Sequence, residues 1–383
     1  MSDDERHASN LELFLDLVFV FAVTQIASLI DSDLTAAGVA RGVLIAALVW
    51  WQWSQFTWAG SAINLQRRVS TRVLVLCTIP ATLTMAVSIP HAFGDGDGPD
   101  TGAWFGIAYL VVQLLVLAMQ GTMAMRDSAT RKAFIDYTSL ASIAPVLVAA
   151  GGLTHDGVRL GLWIAAAAVD VVTALRGASG EWVINPVHFA ERHTLFVIIS
   201  LGEAVIAIGA TASGVGLDRT TFTGLVAGSA VACVLWWVYF AFTPAVTEHT
   251  LRHAETRQRG KAARDLFTFG HFPIVMGILG YAVVVKHMVA DPNAPLSAAD
   301  RWLLFAGMAV FIGGCLNIQW HVVHRLAPER FVAIAAIGAV LLIGDSLDGW
   351  AVVGVVAIVL AVMQAITWRR FRAGALAAVA EIR

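Results

Sequence analysis

Twelve apolar runs, each close to the roughly 20 residues that an α-helix needs to cross a bilayer, take up most of this 383-residue chain. They cover 11–30, 36–62, 72–91, 103–125, 134–152, 158–176, 193–213, 221–243, 266–288, 302–323, 330–346 and 350–368. Asp136 and Asp345 interrupt the fifth and the eleventh, the weakest of the set. The links carry Gly, Pro and Asp, as in "GDGDGPD" at 94–100 and "DPNAP" at 291–295, and leave no length for a separate soluble domain. With 58% hydrophobic and 14% charged residues, against about 25% charged in soluble domains, the chain reads as an all-α polytopic membrane protein. The opening MSDDERH is acidic and no small-residue cleavage site follows, so the first run is expected to stay as a helix.

Orientation follows from the basic residues. With the N-terminus in the cytoplasm, 20 of the 25 Lys and Arg fall on the cytoplasmic side, and Arg41, Arg159, Arg219, Lys286 and Arg301 fall outside. Both termini are therefore expected inside. An internal echo refines the organisation: "WWQWSQFTW" at 50–58 returns as "WWVYFAFTP" at 236–244, an offset of 186. Asp16-x-Val18-x5-Thr24 returns as Glu203-x-Val205-x5-Thr211, and Pro80 is answered by Pro273. The spacing predicts two parallel six-helix repeats, 11–176 and 193–368, related by a pseudo-twofold axis along the membrane normal. Residues 1–10, 177–192 and 369–383 are then the cytoplasmic N-terminus, linker and C-terminus.

In "LELFLDLVFVFAVTQ", residues 11–25, Glu12 and Asp16 stand at i and i+4 on one helix face. Glu12 is near enough to the cytoplasmic surface to snorkel, whereas Asp16 is roughly 8 Å in. An acid at that depth is costly and marks a functional pathway by default; the competing reading is a packing carboxylate bonded to an Arg, Trp or Thr of a neighbour. Glu203, in "LGEAVIAIGATASG", is expected roughly 14 Å from the start of its helix. Gly202, Ala207, Gly209, Ala210 and Gly214 around it would favour close helix contact. The repeat would bring Asp16 and Glu203 near the axis between the halves, with Glu12 as an entrance charge.

The remaining candidates are weighed more evenly. Trp50-Trp51 and Trp236-Trp237 read as an aromatic belt or bulky packing, with a cation-π lining as the alternative. "ERH" at 191–193 reads as a surface segment ahead of the seventh helix, Glu191 or His193 capping it, or as a proton relay. His271 beside Pro273 is a core histidine or a polar gate, and Lys286 a snorkelled cation or a carboxylate partner. Cys77, Cys233 and Cys315 lack redox or zinc spacing and are expected as buried thiols. His249 and His253 sit in a solvated loop, His321 and His324 at a boundary, and "DGDG" at 95–98 is too short for a calcium loop. No metal, cofactor, nucleotide or nucleic-acid site is read.

"LELFLDLVFVFAVTQIASLI", "ALVWWQWSQFTW" and "LFVIISLGEAVIAIGA" together resemble the bacterial low temperature requirement protein A family over nearly the whole chain. Glu12, Phe14, Asp16, Phe19, Thr24 and Gln25 match its E-L-F-F-D-L-V-F-V-F-A-[IV]-T-Q pattern, with Leu15 where Phe is common. The resemblance implies a membrane fold and the bacterial inner membrane, and assigns no activity. Phe14-Leu15-Asp16 with Thr24, and Glu203 with Thr211, are also similar to the first helices of six-plus-six potassium channels. There the Ser of Phe-Ser-Asp is present and both repeats carry the motif, whereas here the Ser is missing and the second half has neither the Phe nor the Asp. That similarity implies a conduction wall at Phe19, Val20, Val23, Ile206 and Ala210.

The leading reading is a channel or ion-coupled transporter for a cation or small solute, with Glu12, Asp16, Thr24, Gln25, Glu203, Thr211 and His271 as its polar site. Glu191, His193 and Lys286 are relay candidates. A membrane enzyme or lipid-handling protein is the alternative, unsupported by a nucleophile, and a cold-adaptation sensor or scaffold is a third. The partners are the bilayer and a small ion or solute, with a homo-oligomer left open.

Overall fold

A computed structural model of the chain describes residues 6–62, 65, 68–94, 98–124, 135, 138–177 and 184–381. Regular structure among them is helical, apart from one isolated bridge between Pro295 and Asp348. The chain falls into two compact units, Met1–Phe196 with Thr247–Phe272, and Val197–Val246 with Pro273–Arg383.

The first unit is built on α1 (Asn10–Ser32), α2 (Ala36–Ala62), α3 (Val69–Val87), α4 (Gly102–Ala124), α5 (Ile143–Gly152) and α6 (Asp156–Gly177). Helix α1 packs on α2 and α3, α4 on α3 and α5, and α5 on α6. Helix α7 (Pro186–Val215) begins in the first unit and ends in the second. The second unit holds α8 (Arg219–Phe240), most of α11 (Phe269–Ala290), α12 (Ala298–Val323), α13 (Pro328–Ile343) and α14 (Gly349–Glu381). Close approach there is made by glycines. A Cβ on Gly277 would strike the Gly307 carbonyl and Phe311, which fixes α11 and α12 backbone to backbone. The start of α14 is tied to the α11–α12 turn, Gly349 N donating to Ala294 O at 3.0 Å and Trp350 N to Pro292 O at 3.1 Å.

Among the described residues, ten helices are long and apolar enough to span a membrane. The other two expected runs fall short for different reasons. The described part of the fifth is the short helix Thr138–Gly152, and Asp136 lies outside the described residues. The eleventh makes a 16-residue α13, about 24 Å at 1.5 Å per residue, because Gly344–Ser346 turns into a short 3-10 segment around Asp345.

Several sequence expectations are corrected. The solvated loop expected around His249 and His253 is helical instead: α9 (Thr243–His253) and α10 (Thr256–Ala262) fill the stretch, followed by a π-helical turn at Ala263–Thr268. An Arg252–Glu248 pair at i,i+4, 2.6 Å long, supports α9, so His249 and His253 are helical, their rings 4.1 Å apart. The seventh helix starts at Pro186, not near His193, because Pro is well placed at a first helical position and Asn185 Oδ1 accepts from His188 N at 3.0 Å. Glu203 is then about 26 Å along the helix. Gly202, Gly209 and Gly214 make no close helix contact, since a Cβ on any of them meets nothing within 4 Å. Cys77 and Cys233 are exposed, and only Cys315 is buried. The two tryptophan pairs differ in setting: Trp50 and Trp51 are buried, whereas Trp236 is 51% and Trp237 37% exposed.

One anchor outside the spans has a pH consequence. Asp100 receives both terminal nitrogens of Arg159, at 2.8 and 2.7 Å, and these bonds hold its carboxyl down to about 2. A depressed carboxylate stabilises the fold above its unfolded value, about 3.9, and that contribution disappears as pH falls towards 2. The melting temperature of the detergent-solubilised protein is expected to drop between these limits, and Asp100→Asn to flatten part of that drop. An unchanged acid profile in the variant would refute the assignment.

Candidate functional site

The acids of α1 begin with a cap. Ser9 Oγ accepts from Glu12 N at 3.4 Å, while Glu12 Oε2 accepts from Ser9 N at 2.9 Å and Ser9 Oγ at 2.7 Å. This capping box turns Glu12 inward, so it is 3% exposed and does not snorkel to the surface. Its other oxygen meets His188 Nε2 at 2.8 Å and Arg192 Nη1 at 3.3 Å. One turn on, Asp16 Oδ1 accepts from Arg192 Nη2 at 2.7 Å and Trp53 Nε1 at 2.9 Å.

The spacing explains the match. Glu12 and Asp16 are four residues apart on α1, His188 and Arg192 four apart on α7, and four-residue neighbours share a helix face. Two facing helices therefore align two acids with two bases in a ladder, with Arg192 joining both rungs and standing 5.8 Å from the Trp53 ring centre. Gly60 makes room: a Cβ there would run into the Glu12 carboxylate and come within 3.3 Å of His188. The N-terminal segment closes the ladder from one end. Ala8 N donates to Glu191 Oε2 at 2.7 Å, and the Arg6 guanidinium donates to the carbonyls of Gly60 and Ser61.

Beyond the second rung lies an aromatic wall. Trp53 packs against His193 with ring centres 5.0 Å apart, and His193 against His271 at 5.3 Å. His193 Nδ1 bonds the Phe189 carbonyl and His271 Nδ1 the Leu266 carbonyl, each at 2.9 Å. Several buried polar atoms at this place have no hydrogen-bond partner among the described residues: Asp16 Oδ2, His188 Nδ1, Arg192 Nε and His193 Nε2. Such atoms are rare in native proteins and cluster at strained or functional sites.

"ERH" at 191–193 is therefore not a surface cap. Glu191 alone of the three bonds the N-terminal segment, while Arg192 and His193 are fully buried inside α7. Farther along α1, Phe19 is buried against Phe56 with ring centres 6.1 Å apart, and Val23 is buried. Val20, Thr24 and Gln25 are half-buried, Thr24 Oγ1 donating to Val20 O at 3.3 Å. In the second unit Glu203 is buried and Thr211 half-buried, whereas Ile206, Ala210 and Lys286 are exposed. His188, Arg192 and Trp53 escaped the sequence reading as site residues. The His188-x-x-x-Arg192 spacing, repeating that of Glu12-x-x-x-Asp16, was the available signal.

Residues 7–368 match the bacterial low temperature requirement A protein (LtrA) family. The chain belongs to the LtrA family. The family match contains Glu12, Asp16, Trp53, His188 and Arg192, so the whole ladder lies within it. Among curated proteins, an uncharacterized protein of Rhizobium meliloti is 29% identical over 388 residues, covering 97% of this chain and 92% of its own length. No solved structure matches the chain. This LtrA-family chain is thus a multi-span membrane protein of a bacterial family, with carboxylates buried among its helices.

Proposed function

We propose that this LtrA-family protein is an ion-coupled carrier for a small solute, with the Glu12–His188–Arg192–Asp16 ladder as its proton-exchanging element. The observation that carries the reading is the ladder itself: four ionisable groups sealed within spanning helices, where charge is costly and kept for pathways and relays. Their pairing separates a carrier from an open cation channel. Acids that attract cations into a pore line it unpaired, whereas these two are matched by bases, and moving one proton changes which rung is held. Glu12 and His188 exchange a proton across 2.8 Å, and Arg192, permanently charged, stays on Asp16. His193 and His271 extend the same polar track, and Glu203 is a buried acid of the second unit.

The reading includes two parallel six-helix repeats, 11–176 and 193–368. The shared W-W-x4-F-T supports them, as do Pro80 and Pro273, each internal to a helix, α3 and α11. Both termini are read as cytoplasmic from the charge asymmetry, and a C-terminal reporter scored outside would overturn that.

The test is flux in liposomes carrying the purified protein, across a panel of cations and small neutral and charged solutes, with and without an imposed pH gradient. Uptake of at least one solute is expected to rise with the gradient. Glu12→Gln is expected to abolish that rise while leaving downhill exchange. No gradient-dependent flux for any solute, in protein shown to be folded, would refute the carrier reading.

A further inference from the structure

Arg330, in the first turn of α13, is 5% exposed. Its Nε and Nη1 are buried without a hydrogen-bond partner, and among the described residues no acid pairs with its guanidinium. The neighbouring acid is already engaged. Glu329 Oε1 accepts from Thr367 Oγ1 at 3.1 Å and Oε2 from Arg370 Nη1 at 2.8 Å, both partners belonging to α14. The adjoining sequence offers no substitute: 301–344 holds no acid besides Glu329, and 349–380 holds none. Glu381 comes eleven residues after Arg370 in α14, about 16 Å away at 1.5 Å per residue.

A buried cation without a counter-charge is costly, and an anion from outside would complete it. The position favours one. The N-cap of α13, Ala327, makes no side-chain cap bond, so the positive end of this 16-residue helix is open to negative charge. Arg325 and Arg369, both exposed, add to the positive field at the same end of the second unit. Further polar atoms there are unsatisfied. Gln364, one turn before Thr367 on α14, is fully buried with neither carboxamide atom bonded. On α12 the charge of Arg330 reaches the buried Cys315 thiol, and one turn on, Gln319 Oε1 is unpartnered.

A guanidinium fork matches phosphate oxygens in geometry and charge, and basic sites among spanning helices at the cytoplasmic face take lipid head groups. The charge asymmetry assigns this end of α13 to that face. We propose that Arg330 and the open end of α13 bind a phosphate group, carried either by an anionic lipid head group or by a free phosphate. The site stands independently of the carrier reading, because occupancy is measured without flux.

The delipidated full-length protein in neutral detergent is melted in the presence of phosphatidylglycerol, phosphatidylcholine or inorganic phosphate, with chloride at matched ionic strength as the comparator. Phosphatidylglycerol or inorganic phosphate is expected to raise the melting temperature saturably. Response to phosphatidylglycerol alone identifies a lipid head group, and response to inorganic phosphate a free anion. Arg330→Met is expected to need about tenfold more of the active probe for half the shift, while Arg369→Met, at the exposed cation of the same end, keeps the native response. Without any probe, Arg330→Met is expected to melt no lower than the native protein, since it removes a charge that no acid answers. If Arg330→Met does not fold, Arg330→Gln decides by the same criteria. No shift with either phosphate probe, an equal shift with chloride or phosphatidylcholine, or an equal response in the Arg330 variant and the native protein would overturn the proposal. A probe-free variant that melts lower would also overturn it, by showing that the guanidinium is already satisfied within the fold.

Discussion

Replacing Arg192 by Met is expected to cost the folded protein about 3–5 kcal/mol, read as a fall in melting temperature and folded yield in detergent. The substitution keeps the apolar stem and removes the charge that joins the two rungs, leaving Asp16 with Trp53 alone and Glu12 with His188 and its cap. Two carboxylates 3% and 2% exposed then lie one turn apart without their shared cation. The cost belongs to the stranded acids rather than to the lost contact, so it is expected to be reversible. Glu12→Gln, Asp16→Asn and Arg192→Met combined keep the shapes, the Trp53 N–H donor and the Ser9 cap, and are expected to recover most of the loss. Buried ion pairs exchanged for neutral groups of similar volume are often no less stable. A single Arg192→Met variant as stable as the native protein would refute the ladder. A triple variant no better than the single one would mean that the guanidinium is needed for packing instead.

Arg159→Met is expected to cost about 2–4 kcal/mol, from one buried and several part-buried acceptors losing one donor at once. Arg159 is 1% exposed. It donates to Ala92 O at 2.7 Å, to Thr154 O through Nε at 2.9 Å, and to both oxygens of Asp100. Ala92 and Asp100 belong to the α3–α4 connection and Thr154 to the α5–α6 turn, so one side chain ties two connections together at the same end of the first unit. Methionine fills the volume and satisfies none of the carbonyls. Unfolding in denaturant is the measurement, and the loss is expected to be accompanied by proteolytic nicking in the 92–102 connection. A variant that melts with the native protein and resists protease there would show that the cage is redundant.

Much of the fold was legible because a bilayer leaves the backbone little choice. Within lipid every N–H and C=O must be satisfied inside the segment, so an apolar run of sufficient length is a helix whatever it packs against. The helices at 36–62 and 102–124 accordingly fall within a residue or so of the runs. The polar 245–264 stretch has no such constraint, and its helices, one with an i,i+4 ion pair, lay outside the hydropathy signal. The same holds for α7, whose first two turns are too polar to count as an apolar run and yet are buried at His188 and Arg192.

The site divides along the same line. The sequence by itself determined that Glu12 and Asp16 share a face, because a helix has a fixed period, and that an acid so placed is too costly to face lipid. It could not determine which cation answers them. His188 and Arg192 are each 176 residues from the acid they meet, and their pairing exists only because α7 lies against α1. Local pattern encodes the direction of a side chain relative to its own helix axis. The partner is set by which helices pack together, at what height and in what rotation, and that was decided by tertiary structure alone.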